Sequence, residues 1–558
     1  MKKLVSIIMA LALILSLGIA VFAEQTEDTT TLIINGAAGR DFVGYKLLNA
    51  TVSLKDGEHH PADCQGEHTE DCYNYAYTIN GDEFRTILRA EVLANGRNEL
   101  WDNGVKPTDP TKVTDEQILK YLEGQTKDDG DVYHTMRQVA DRLYRAILAA
   151  GINPTKEGLN DPTQENYNKI TYGYWLFADE TTLDAGDYDA NSLAIVNTVG
   201  MTNVTISPKT GLPTIEKKVK DIEDSEDNSI LDNPWHDAAD HDLNDAVPFK
   251  LTATLPANVL QYETYKIAFH DTLAEGLTLK PETIVVRMYD SKYKADVDTD
   301  LNDYVNNQTV LDQLANAFQV KTTGLTDGCT FEVVCENILA IDGVTANTTF
   351  VVYYEATLNA NAKIGAQGNP NTVELEYSND PYGTTTGKTN PDTVSVYTYQ
   401  LTINKTDAQG HNLAGAGFTL YKKNVAGEYV AIGVEKGGEG SPLTTFTWEY
   451  LDDGDYKLEE TTVPDGYNEL AAIVFSITAV HTENSEHAPE LTSLDGGVMG
   501  VGDATTGIIT NTIVNHTGAV LPSTGAEGTM LLIVGGTMLI VLASVFMITR
   551  KKMSVYED

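Results

Sequence analysis

Cysteine is nearly missing from this chain, at four residues in 558, which excludes a small disulfide-dense scaffold. Basic residues are also scarce: 38 Lys and Arg stand against 81 Asp and Glu, a formal charge of −43. That deficit argues against nucleic-acid binding, which needs a basic footprint, and fits a self-repelling, soluble surface. No P-loop, dinucleotide fingerprint, Ser-His-Asp or Cys-His motif occurs, so no cofactor, metal or turnover enzyme is expected. The run DVDTDLND, with Asp296, Asp298, Asp300 and Asp303, lacks the Gly at position six and the Glu at twelve of a calcium loop. It reads as a solvated acidic loop.

Membrane-length apolar text lies only near the two ends. Residues 1–23 carry Lys2 and Lys3, then an apolar run, then Val21-Phe22-Ala23. This is the pattern of a secretory signal peptide cut after Ala23. Residues 530–548 are apolar and long enough to span a bilayer, and Arg550, Lys551 and Lys552 follow on the expected cytoplasmic side. The chain between them is therefore expected outside the cell.

That interior reads as mainly β, in three parts. Residues 24–205 open with strand-like TTTLIING and DFVGYKLLNATVSL. They then turn helical at VTDEQILKYLEG and DVYHTMRQVADRLYRAILAAG, with Asp115 and Asp131 near the helix starts. Residues 206–396 and 397–516 alternate β-type runs with Gly, Pro, Asn and Asp, the spacing of β-sandwiches. Residues 517–558 form a tail. The cysteines fall in two local pairs, Cys64/Cys72 and Cys329/Cys335, and a secreted chain favours two disulfides. Cys64, His68 and Cys72 are alternatively zinc ligands, although their spacing matches no common zinc motif.

Together these pieces resemble the sortase-assembled major (backbone) pilins of Gram-positive bacteria. The resemblance implies tandem Ig-like (Cna-type) sandwiches, the first with a helical insertion, and an LPxTG cell-wall sorting signal at LPSTG. It implies that sortase recognises Leu521 and Pro522 and cleaves between Thr524 and Gly525. The family's linking lysine lies in a segment like VxVYPK between the first and second domains. Here the text is NVTISPK, which assigns Lys209, although Ser207 stands where the family often has Tyr. The implied partners are sortase, identical subunits and peptidoglycan, with minor pilins and host ligands as further candidates. The alternative reading is a wall-anchored adhesin or minor pilin that is joined once.

The same resemblance implies self-formed Lys–Asn isopeptide bonds in the second and third domains. Each needs a neutral amine, a carboxamide and a protonated acid in an apolar core. In the third domain it assigns Lys405 in LTINKTD and Glu460 in GDYKLEETTVPDGY. The closing strand GIITNTIVN offers Asn511 and Asn515, of which Asn511, inside the strand, is the choice. In the second domain Lys217 shares a face with Ile215 and Val219, and Asp271 lies in the DTLxxGLT-like DTLAEGLT. Asn371 and Asn379 both continue the face of Val373, Leu375 and Tyr377. Asn379, in the YSN that recurs in this family, is preferred. The opening strand of the first domain holds no Lys, so no such bond is expected there.

Overall fold

In the computed structural model, the described residues run from 29 to 518, apart from 36–38, 55–72, 102–103, 126–135, 160–167, 185, 200, 202, 208–210, 223–234, 299, 301 and 483–487. The signal peptide, Cys64, Cys72, Asp131, Lys209, LPSTG and segment 530–548 lie outside them. Among the described residues no helix is long and apolar enough to cross a membrane.

The first part builds a three-layer unit. Phe42–Leu54, Tyr73–Ile79, Gly173–Asp179 and Leu193–Asn197 form one four-stranded antiparallel sheet. Its alternation sends Trp175 and Phe177 one way, against Leu32, Ile170 and Val204 of a three-stranded sheet. Leu176 and Ala178 point the other way, onto three helices: Gly81–Asn95, Asp115–Glu123 and Met136–Ala150. The helical periodicity buries Leu88, Val92, Ile118, Val139, Leu143 and Ile147 there. Thr114 and Gln117 close a reciprocal capping box at the second helix.

The second part is a two-sheet sandwich. One sheet contains, in spatial order, Ala238–Asp240, Asp392–Tyr397, Asn369–Ser378, Ile267–Leu273, Phe331–Cys335 and Gln319–Lys321. The facing sheet runs Leu277–Tyr289, Thr349–Leu358, Ala246–Thr254, Thr214–Lys220 and Trp235–His236. Val219, Phe249, Phe269, Phe331, Tyr354 and Leu375 fill the space between.

A smaller sandwich follows. Thr445–Leu451, Tyr399–Asp407 and Ile508–Asn515 form one sheet; Gly417–Lys423, Gly454–Thr462, Ile473–His481 and Leu491–Asp495 carry the other. The closing strand runs parallel to the opening one, Lys405 opposite Ile513 and Asp407 opposite Asn515.

Two sequence expectations are corrected or refined here. Cys329 and Cys335 are free thiols, not a disulfide. They stand six residues apart, with most of the interval in the extended strand Phe331–Cys335, so their separation is roughly 20 Å, far beyond disulfide reach. In the acidic run, Asp298 is an internal acceptor, not a solvated residue. It receives Tyr289 Oη at 3.0 Å and the backbone N–H groups of Asn302 at 2.9 Å and Asp303 at 2.6 Å.

Candidate functional site

Two buried lysine–acid–asparagine clusters lie between the facing sheets of the second and third parts.

In the second part, Lys217, Asp271, Asn371 and Tyr354 are all fully buried. Lys217 projects from one sheet and Asp271 and Asn371 from the other. Asp271 pairs with Val373, and Asn371 pairs with Leu273, so the acid and the amide share a face of adjoining strands. Lys217 Nζ contacts Asp271 Oδ2 and donates to Asn371 Oδ1 at 2.7 Å. Tyr354 Oη closes the group: it donates to Asp271 Oδ1 at 3.0 Å and accepts from Asn371 Nδ2 at 2.6 Å. The rings of Phe249 and Tyr354 each lie 5.6 Å from the amine. Burial disfavours charge on both reactive partners. It pulls the Lys217 amine down to about 8 against the opposing pull of Asp271, and it pushes Asp271 up.

Asn379 is not in this cluster. It lies eight residues along from Asn371, roughly 26 Å in extended chain, so shared parity does not make shared position. Its Oδ1 accepts from Thr385 Oγ1 at 2.8 Å, and its carbonyl accepts from Asn191 N–H of the first part at 3.1 Å. Sequence reasoning missed Tyr354. Its only signal was an inward position in the alternating strand TTFVVYYEATLN.

In the third part, Lys405 and Asn515 are fully buried and Glu460 is 8% exposed. Asn515 Nδ2 donates to both Glu460 carboxylate oxygens at 3.0 Å and to the Asn468 carbonyl at 3.1 Å. Lys405 Nζ donates to the carbonyls of Thr406 and Ile513, at 3.1 and 3.3 Å. Burial lowers the Lys405 amine and raises Glu460, with their mutual attraction opposing both shifts. Glu459 lies on the opposite strand face and pairs with Lys457 at 2.7 Å. Asn511, the residue preferred from the sequence, lies four positions before Asn515. It donates instead to the Val498 carbonyl at 3.2 Å.

Residues 399–488 match the SpaA family, described as a prealbumin-like fold domain, and residues 513–554 match the LPXTG cell wall anchor motif. A curated relative, the trypsin-resistant surface T6 protein of Streptococcus pyogenes serotype M6, is 25% identical over 297 residues. The match covers 50% of this chain and 48% of that protein, so the chain spans about half the length of the curated relative it matches. Among solved structures, the T6 backbone pilin of serotype M6 S. pyogenes aligns with TM-score 0.44 and 15% identity, over 88% of this chain and 99% of that one. The major pilin SpaD of Corynebacterium diphtheriae aligns with TM-score 0.38 and 15% identity, over 89% and 99%. The chain thus carries a prealbumin-like domain and, after it, a cell wall anchor.

Proposed function

We propose that this chain is the structural subunit of a covalent cell-surface pilus and carries two internal Lys–Asn isopeptide bonds. The observation that carries the reading is the closed, fully buried group of Lys217, Asp271, Asn371 and Tyr354, upstream of an LPXTG anchor. A buried lysine against a buried acid is a costly arrangement for a sandwich core unless it serves chemistry.

In each bond, the neutral lysine Nζ attacks the asparagine Cγ. A new C–N bond forms, the Cγ–Nδ2 bond breaks, and ammonia leaves. The acid, Asp271 or Glu460, polarises the carboxamide and carries the proton to the departing nitrogen. At Asn371 the path to Nδ2 runs through Tyr354; at Asn515 the acid meets Nδ2 directly. The residues are consumed once, so the chain does not turn over as an enzyme.

Between subunits, sortase cleaves the Thr524–Gly525 bond and passes the Thr524 acyl group to Lys209 Nζ of the next subunit. Peptidoglycan takes the same acyl group when the chain is anchored. Minor pilins and host surface ligands are further partners of such a fibre.

Boiled, reduced wall extracts should give a high-mass immunoblot ladder that Lys209→Ala abolishes. A single band indifferent to that change would overturn the polymer reading. Intact mass of residues 24–520 should fall two ammonia units below the sequence mass.

A further inference from the structure

His270 neighbours Asp271 on the strand Ile267–Leu273, so it faces away from the lysine cluster, on the outer side of the same sheet. There it meets Glu332, its direct partner on the adjoining strand, and Asp327 and Cys329 from the turn before that strand. One ligand atom from each of the four lies within 4.8 Å of all the others.

The histidine is the informative member. It is only 8% exposed. Its Nε2 lies 3.1 Å from Glu376 Oε2, an acceptor when ionised, and the neutral tautomer that donates there presents the lone pair of Nδ1. Nδ1 is buried and makes no hydrogen bond. It nevertheless points into the group, 2.7 Å from Asp327 Oδ2 and 3.6 Å from Glu332 Oε1, atoms that in ionised form can only accept. A histidine oriented by a carboxylate on its far nitrogen is the arrangement of a metal ligand.

We propose that His270 Nδ1, Asp327, Cys329 and Glu332 form a binding site for one transition-metal ion of the zinc class, with Glu376 positioning the imidazole. One imidazole, one thiolate and two carboxylates are a four-ligand set that suits zinc, whereas calcium and magnesium take oxygen ligands throughout. Three anionic ligands exceed a divalent ion by one charge, and two lysines offset it. Lys388 lies 3.5 Å from Asp327 and Lys321 lies 3.4 Å from Glu332. The acidic group of Asp242, Asp245 and Asp452 differs, because Lys422 Nζ already sits 2.6 Å from Asp242 and 3.0 Å from Asp452. An ion at His270 would tie the 327–329 turn to the strand that carries Asp271, and would hold Cys329 out of oxidation.

The test uses the full chain in mild detergent, carrying Cys64→Ser and Cys72→Ser, titrated with Co²⁺ in excess Mg²⁺ and Ca²⁺. One equivalent of Co²⁺ should bind, with a thiolate-to-cobalt charge-transfer band, and Zn²⁺ should displace it. Cys329→Ser should lose the band, His270→Gln should lose saturable binding, and Glu376→Gln should weaken it roughly 10–100-fold. Circular dichroism and the ammonia-loss mass verify that each variant is folded. Absence of saturable uptake at one ion per chain, or a band unchanged in Cys329→Ser, would overturn the site.

Discussion

At the scale of single residues, the proposed bond in the second part depends on where one proton sits. Lys217 ammonium with Asp271 carboxylate and Lys217 amine with Asp271 acid hold the same number of protons. Burial moves the pair toward the neutral form without exchange with solvent. Bond formation on refolding should therefore show a plateau near neutral pH. It should fall above about 8, where the pair loses its shared proton. A mass-spectrometric time course of ammonia loss reads this directly, and a rate still rising well past that point would contradict it. Asp271→Ala and Asn371→Ala should each retain one ammonia, whereas Asn379→Ala should lose both. Removing the bond between residues 217 and 371, 154 positions apart, should cost about 5 kcal/mol in the chain-entropy picture of cross-links, seen as a lower denaturation midpoint. Tyr354→Phe should slow the reaction without stopping it, because Asp271 still reaches Lys217.

At the scale of elements, strand register sets which side chains meet. Lys405 and Asn515 lie on neighbouring parallel strands in a register that places Ile513 beside the lysine, and Glu460 reaches Asn515 from the facing sheet. Asn511→Ala should leave the mass unchanged apart from the substitution, and Asn515→Ala should retain one ammonia. Cys329 and Cys335 should both react with iodoacetamide in unfolded, unreduced protein, as the extended strand Phe331–Cys335 that holds them apart requires. In the first part, Thr114→Ala removes the hydroxyl that receives the Gln117 N–H. It should cost about 1 kcal/mol, measured as a small drop in thermal midpoint.

At the scale of the molecule, the units make direct contacts. Tyr382 Oη of the second part donates to Asp141 Oδ1 of the first at 2.5 Å, and Lys422 of the third pairs with Asp242. Buried beside the latter junction is His241, whose Nε2 lies 3.1 Å from the Lys220 carbonyl, with Asp221, Asp245 and Asp452 around it. Burial opposes its charge, but these acids prevail and raise it to about 9. A raised histidine stabilises fully below its unfolded value of about 6.5 and loses that contribution as pH climbs through the folded one. Asp452 and Asp242, raised by burial, shift stability the same way. Thermal midpoints should decline from neutral pH toward about 9, and His241→Gln should flatten that decline. In the first and third units the opening strand runs parallel to the closing one, Thr31 opposite Asn203 and Lys405 opposite Ile513, so the chain leaves each in the direction it entered. That polarity is compatible with the head-to-tail joining proposed above.

Periodicity, charge and motif text determined by themselves the mainly β character, the helical insertion, the anchor and the inward face of Lys217, whereas Asp271, Lys405 and Glu460 were assigned through the family resemblance. The former are local properties, since alternation along one strand decides which face a residue takes. Which asparagine completes each cluster was decided only by tertiary structure. Asn371 and Asn379 share a face, as do Asn511 and Asn515, and parity repeats every second residue without recording distance along the strand. The register of neighbouring strands chose Asn371 and Asn515. The packing of one sheet on another brought in Tyr354, and strand pairing within one sheet set His270 against Glu332 with Asp327 and Cys329 beside it, contacts between segments whose sequences carry no mark of one another.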